Sequence, residues 1–131
     1  MEVKILIDTN AYSLYRKEHS PIVRKIADSE SILVSPVVLG EILFGFRKGS
    51  RFEYNMSLLT RFLEHEAVEV VPIAEVTSDR YARIMLQLRR QGTPIPSNDM
   101  WIAAQAMEHG AELLTSDRHF EQISGLVCTV Y

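Results

Sequence analysis

Short apolar runs alternate along this chain with longer stretches in which apolar residues recur every three or four positions. The short runs are rich in β-branched residues and stay apolar at successive positions, which is typical of strands buried on both faces of a parallel sheet. Five such runs span residues 3–7, 31–35, 67–72, 112–115 and 126–130. The pattern therefore predicts five short strands.

The longer stretches predict helices over residues 21–28, 36–48, 52–64, 76–90 and 98–109. The second of them has a clear beginning, because serine is a favoured N-cap and proline is favoured at the first helical position, and Ser35 precedes Pro36. Gly49, Gly92 and Gly110 stand where helices typically end. Alternating strands and helices predict an α/β fold, with helices on both faces of a central, mainly parallel sheet.

Composition narrows the class of protein. The chain has 131 residues, 47% of them hydrophobic, so we expect one domain spanning residues 1–131. The single cysteine, Cys128, excludes an internal disulfide and fits the cytoplasm, where we expect the protein to reside. We expect no signal peptide and no membrane segment, because the chain enters a strand at once and no apolar run is long enough. The net charge of -3 argues against a nucleic-acid binder unless cations offset clustered acids.

Two acidic residues follow predicted strands. Asp8 comes directly after the first strand, and Asp117 comes two residues after the fourth. The carboxyl ends of parallel strands form one rim, where ligands bind at a topological switch point, so we expect both carboxylates there. Alternatives remain open, since Asp8 is also a good N-cap for a short helix beginning at Thr9 or Asn10, and Asp117 suits an ordinary turn.

Two further acids lie inside predicted helices. Glu41 belongs to an almost wholly apolar helix, so we expect little of that helix to face water. A buried carboxylate needs a partner or becomes protonated, unless it lies on a narrow exposed stripe or in a structural salt bridge. Asp99 lies in a first helical turn, where the helix dipole favours an acid. Ser97 and Asn98 already offer capping groups there, so capping alone does not account for Asp99.

If these four carboxylates converge, they repel each other unless a divalent cation neutralises them. Oxygen-only ligation suits Mg²⁺ or Mn²⁺. Zinc is disfavoured, because the single cysteine and the four histidines lack the spacing of a zinc site. Among the histidines only His119 stands out, two residues after Asp117. The acids therefore predict metal-dependent chemistry on phosphate.

Taken in order, these motifs resemble the PIN-domain family and, within it, the VapC-type toxin ribonucleases. The resemblance runs from Val3 to Val130 and rests on Asp8-Thr9-Asn10, on Glu41, on Asn98-Asp99 with Ile102-Ala103-Ala104, and on Leu114-Thr115-Ser116-Asp117-Arg118-His119-Phe120. It implies a three-layer α/β/α fold and a ribonuclease that requires Mg²⁺ or Mn²⁺. It also implies a homodimer and a partner antitoxin, whose peptide tail inhibits by lying across the active groove. Asp8, Glu41, Asp99 and Asp117 match the family's acidic quartet, and Thr115 and Asn98 match frequent polar helpers.

The expected reaction is hydrolysis of a phosphodiester by water that one or two divalent ions activate. Asp8, Asp99 and Asp117 are the expected direct metal ligands. Glu41 is expected to bind metal through water or to act as general base, and Thr115 to orient the nucleophile. Because water attacks, the 2′-hydroxyl is not required and the product should carry a 5′-phosphate.

Substrate binding must come from other residues, and a structured RNA with an exposed loop is the expected substrate. Basic candidates are Arg16, Lys17, Arg24, Lys25, Arg47, Lys48, Arg51, Arg89 and Arg90. Aromatic residues cluster in the first half of the chain, at Tyr12, Tyr15, Phe44, Phe46, Phe52 and Tyr54. The sequence leaves open whether these rings fill the core or form a groove or dimer contact.

Three other functions fit parts of the pattern. A phosphoacceptor or phosphatase would use Asp8 as nucleophile, but Asn10 stands where a second acid is usual and no lysine follows Lys48. A non-catalytic module would bind RNA or protein through the same scaffold. A PIN ribonuclease acting in RNA processing would lack an antitoxin, whereas a small reading frame immediately upstream would favour a toxin.

Overall fold

The computed structural model describes residues 3–131 and contains one five-stranded sheet. In chain order its elements are β1 (Lys4–Ile7), α1 (Thr9–Arg16), α2 (Ser20–Ala27), β2 (Ser31–Val34), α3 (Pro36–Lys48), α4 (Phe52–Glu64), β3 (Val68–Val70), α5 (Glu75–Gln91), α6 (Ser97–Glu108), β4 (Glu112–Thr115), a 3₁₀-helix (Arg118–Gln122) and β5 (Cys128–Val130). The strand order is β3-β2-β1-β4-β5, and each neighbouring pair is parallel. The predicted α/β class and the five predicted strands are confirmed.

The order of the strands explains how the sheet is covered. The chain steps from β1 to β2 to β3 in one direction and then returns past β1 to β4. Because crossovers of parallel strands are right-handed, this reversal puts α1 to α4 on one face and α5 and α6 on the other. Ile5, Leu6 and Ile7 are each 0% exposed, as a strand requires when its alternating side chains enter two covered faces. The result is a three-layer α/β/α fold with a switch point between β1 and β4.

Two short helical elements were not among the predicted helices. α1 follows Asp8 directly and buries Ala11 and Tyr12, whereas the sequence offered such a helix only as an alternative use for Asp8. The 3₁₀-helix after β4 buries Phe120. Both elements are only one or two turns long, so their apolar residues do not recur often enough to establish a period.

The expectation that α3 is largely shielded from water is wrong. Only Val38 and Ile42 of this helix are buried, and Phe44 is 66% exposed. Nothing lies within 4 Å of a Cβ built on Gly40 or Gly45, so no neighbouring segment packs closely there. Phe44 faces outward, whereas the other apolar side chains of this helix are partly buried against the core: Val37, Leu39, Leu43 and Phe46.

The glycines predicted to end α5 and α6 do so. Gly92 and Gly110 have φ values of +71° and +62°, a left-handed conformation that glycine adopts without steric cost. Among the helices of residues 3–131, none has the length and apolar character needed to cross a membrane.

We expect the buried sheet to dominate stability, which paired leucine substitutions can test. Leu113 in β4 is 0% exposed and Leu86 on α5 is 50% exposed. Leu113→Ala should lower the free energy of unfolding by about 2–5 kcal/mol, because it leaves a cavity in the core. Leu86→Ala should change it by less than about 0.5 kcal/mol. Urea unfolding followed by circular dichroism measures both, and equal effects would contradict the described core.

Candidate active site

The site begins with a buried carboxylate at the end of β1. Asp8 is 5% exposed and is the N-cap of α1, where its Oδ1 accepts a hydrogen bond from the Ala11 N–H at 2.8 Å. Its Oδ2 accepts the hydroxyl proton of Thr115 from the end of β4, at 2.5 Å. Capping therefore explains part of the geometry of Asp8, but the second bond ties this carboxylate across the switch point to the neighbouring strand.

Thr115 also fixes the loop that carries the next acid. Its Oγ1 accepts a hydrogen bond from the Asp117 backbone N–H at 3.0 Å, and the residue is 0% exposed. One hydroxyl thus connects Asp8 to the start of the Asp117 loop. With its proton directed at Asp8, Thr115 is placed to position carboxylates, and its expected contact with the nucleophile stays a prediction.

Glu41 has the hydrogen-bond partners that a carboxylate on an apolar helix was expected to need. Its Oε1 accepts a hydrogen bond from the Thr9 hydroxyl at 2.6 Å, and its Oε2 accepts one from the Asn98 side-chain amide at 3.4 Å. The residue is half-buried rather than enclosed, because α3 packs through only one stripe. These two donors aim its carboxylate at the same rim as Asp8.

The capping role expected for Ser97 and Asn98 is wrong. The N-cap of α6 is Pro96, no side chain caps this helix, and Asn98 instead donates to Glu41. Asp99 does lie in the first turn of α6, as predicted. Since nothing there uses Asp99 as a cap, its carboxylate is available to the site.

His119 lies between two of the acids. Its Nε2 is 2.7 Å from Asp99 Oδ2, and its Nδ1 is 3.0 Å from Asp117 Oδ1. Potential ligand atoms of these three residues lie within 4.8 Å of one another. The sequence marked His119 only by its nearness to Asp117, because the contact with Asp99 depends on how α6 packs beside β4.

The four acids line one cleft of about 240 Å³, together with Thr9 and Asn10. A larger cavity, of about 600 Å³, is lined by residues of α1, α2 and α4 and contains no acidic side chain. Chemistry that needs carboxylates therefore belongs to the smaller cleft.

The raised pKa values of two of these acids show that ionising the whole cluster is unfavourable. Burial raises the pKa of Asp8 from 3.8 to about 6, and the carboxylates of Asp99 and Asp117 push it in the same direction. Burial likewise raises the pKa of Asp99, with Glu41 and Asp117 adding to the effect. His119 lowers the pKa of Asp99 but does not cancel these effects, so the ionised cluster is short of counter-charge. A divalent cation supplies that charge and prefers oxygen ligands, so the residues present fit Mg²⁺ or Mn²⁺.

Comparisons with known proteins place these observations in a wider context. A family model described as PIN domain matches residues 5–126. The chain is 34% identical to ribonuclease VapC1 of Rickettsia felis over 71% of each protein. It is 27% identical to the tRNA(fMet)-specific endonuclease VapC of Shigella flexneri over 95% of each.

Solved structures agree on the fold. The crystal structure of VapBC2 from Rickettsia felis, bound to a promoter DNA fragment, superimposes with a TM-score of 0.86 at 24% identity and covers 98% of this chain and 99% of that one. The DNA-bound VapBC of Salmonella typhimurium gives a TM-score of 0.84 at 25% identity, with 98% of each chain covered. The three-layer arrangement is thus shared along nearly the whole chain.

The raised pKa of Asp8 predicts how stability varies with pH in the metal-free protein. The folded state holds the Asp8 proton up to about pH 6 and the unfolded state only to about 3.8. Stability from this group is therefore fully present below pH 3.8 and is lost as pH rises through 6, by about 3 kcal/mol in all. Asp8→Asn should remove most of this decline in urea unfolding across that range.

The matched control is Asp79→Asn, whose carboxylate is 70% exposed and should leave the decline unchanged. Adding Mg²⁺ should also flatten the decline, because a cation favours the ionised form of Asp8. A decline that persists in Asp8→Asn would show that its source is another group.

Proposed function

This chain belongs to the PIN-domain family, and we propose that it is an Mg²⁺- or Mn²⁺-dependent endoribonuclease acting as the toxin of a toxin–antitoxin pair. The observation that carries the proposal is the convergence of Asp8, Glu41, Asp99 and Asp117 on one cleft at the switch point of the sheet. Four carboxylates around so small a cleft are poorly suited to bind phosphate by themselves, since like charges repel. They are well suited to hold cations that bind phosphate.

The residues that would hold the metal differ in exposure. Asp8 is almost wholly buried, whereas the Asp99 and Asp117 side chains are 19% and 42% exposed. We assign these three as direct ligands, with His119 close enough to join them. When bound, the divalent ion supplies an activated water nucleophile at neutral pH and neutralises charge that develops on the phosphoryl oxygens.

The remaining polar residues orient these groups and move protons. The Thr115 hydroxyl donates a hydrogen bond to Asp8 and accepts one from the Asp117 backbone N–H, so it fixes the two acids relative to each other. Glu41 is oriented by donors on both oxygens, from Thr9 and Asn98. A carboxylate held in this way at the rim can accept a proton from water as general base. Such preorganisation avoids the cost of arranging the acids during the reaction.

The proposal extends to a protein partner. Relatives of this chain are named VapC ribonucleases, and the similar solved structures include VapBC complexes and a toxin–antitoxin complex from Klebsiella pneumoniae. We propose that this chain likewise binds a cognate antitoxin. The homodimer and the cytoplasmic location expected from the sequence stay predictions.

The central test is removal of one acid without change of shape. Asp99→Asn should lower RNA cleavage by at least about 100-fold, because it removes a metal ligand and one negative charge from the cleft. RNA binding should be retained. The measurement is cleavage of total RNA in Mg²⁺, Mn²⁺ or EDTA, with the new 5′ ends mapped, and binding of a labelled RNA by fluorescence anisotropy.

Asp79→Asn is the matched control, since it makes the same chemical change on the exposed face of α5. It should cleave like the wild type. Cleavage that persists in EDTA, or an unchanged rate in Asp99→Asn, would count against metal-dependent hydrolysis. Products ending in a 2′,3′-cyclic phosphate would do the same, because attack by water leaves a 5′-phosphate.

The toxin role is tested in cells. Expression of the wild-type chain should arrest growth, and Asp99→Asn should not, because arrest depends on cleavage. Co-expression of the product of an adjacent small reading frame should restore growth and yield a stable complex with both forms. Growth that continues normally despite active wild-type protein would favour the RNA-processing alternative.

A further inference from the structure

A group of basic and aromatic side chains meets where α3 ends and α4 begins. We call this group the α3–α4 corner; it consists of Phe44, Arg47, Lys48, Arg51, Phe52 and Tyr54. Each cation lies over a ring. Arg47 is 4.6 Å from the Phe52 centroid, Lys48 is 5.3 Å from that of Phe44, and Arg51 is 4.2 Å from that of Tyr54.

The corner is open to solvent, which is unusual for so many rings. Phe44 is 66% exposed and Tyr54 is 51% exposed. Within the described residues, no ion pair involves the three corner cations. Glu53 is the only acid between residues 44 and 54. The exposed rings contribute little to the core, and an exposed group of aromatic side chains often marks a binding surface.

A groove adjoins the catalytic cleft and follows α3 toward the corner, although no corner residue lines it. It has a volume of about 300 Å³ and shares Thr9 and Glu41 with that cleft. Its walls continue along α3 to Gly45 and Phe46, which directly precede the corner cations. Lys48 follows Glu41 by about two helical turns, roughly 10 Å along the axis of α3. One RNA strand can therefore contact both the corner and the cleft.

We propose that the α3–α4 corner binds a single-stranded segment of the RNA substrate, with bases stacked on Phe44 and Tyr54 and phosphates held by the adjacent cations. The inference rests on the proposed ribonuclease function and adds a binding site to it. Stacking on aromatic rings combined with contacts from cations is how proteins bind single strands without reading their sequence.

RNA fits this surface better than a protein partner does. Protein interfaces also enrich arginine and aromatic residues, so the choice rests on charge, and the corner carries three cations and one acid between residues 44 and 54. The cations also supply positive charge that the acidic cleft lacks, so they attract a polyanion to a place from which the cleft can be reached. The positive charge of the corner and its nearness to the cleft both favour nucleic acid.

The charge contribution is tested by salt dependence. In the Asp99→Asn background, which binds without cutting, Arg47, Lys48 and Arg51 are replaced together by Gln. Binding of a labelled single-stranded RNA should weaken by on the order of 10-fold or more, and the slope of log K against log salt should flatten by about 2, since each phosphate contact contributes about 0.7. Replacing Arg61, Arg80 and Arg83, which line neither the cleft nor the groove beside it, removes the same charge and should leave both quantities almost unchanged.

The rings are tested separately. Phe44→Leu and Tyr54→Leu keep apolar bulk but lose the stacking surface, so each should weaken binding by roughly 5- to 150-fold without altering the salt slope. Phe44→Trp should restore or improve binding. Because both rings are exposed, these changes spare the core, and circular dichroism should be unchanged.

Cleavage by the active enzyme separates this inference from the function it rests on. Corner variants should raise KM for a long RNA and leave the cleavage rate of a dinucleotide, which is too short to reach the corner, unchanged. If the wild type cleaves RNA and all corner variants bind RNA as the wild type does, the corner is not an RNA-binding site. The proposed ribonuclease function would still stand. Failure of the wild type to cut any RNA with metal would overturn the function itself. Corner variants that change the oligomeric state or antitoxin binding, but not RNA binding, would identify the corner as a protein interface.

Discussion

The buried hydrogen bond between Thr115 and Asp8 is the interaction on which the geometry of the site depends. It joins the ends of β1 and β4, which lie side by side only because the chain reverses direction across the sheet. The same hydroxyl accepts the Asp117 backbone N–H, so one buried group sets the positions of two acids. In so dry a position the bond is strong, and leaving either partner unpaired there would be costly.

That bond lowers the pKa of Asp8, but burial outweighs it and the net shift is upward. The fold therefore does not stabilise the ionised site on its own. The sheet holds the acids in fixed positions, and their negative charge is balanced only when a cation binds. Stability and function oppose each other here, because the protonated state that suits the metal-free fold cannot bind a metal.

The sequence predicted most of the sheet and the convergence of the four acids on one cleft, for identifiable reasons. Strands buried on both faces are apolar at each position, and an acid placed directly after such a strand lies on the ligand-binding rim. Contacts between distant elements were harder to predict. The sequence around Asn98 is typical of a helix cap, but in the structure α3 packs beside α6 and Asn98 donates to Glu41 instead. The exposure of α3 was misjudged because composition reveals that a helix is apolar, but not how wide a stripe its neighbours cover.

The exposed side of α3 gives the helix two uses along its length. Near its middle Glu41 enters a cleft whose four acids repel phosphate, and at its end the corner cations attract it. A free cleft with uncompensated charge opposes an approaching RNA, so a binding site within roughly 10 Å must supply attraction that the cleft lacks. Bound cations would offset the negative charge of the cleft and so weaken its repulsion of a strand held at the corner. Metal and RNA should therefore bind cooperatively, and the rigid helix sets the distance over which that cooperation acts.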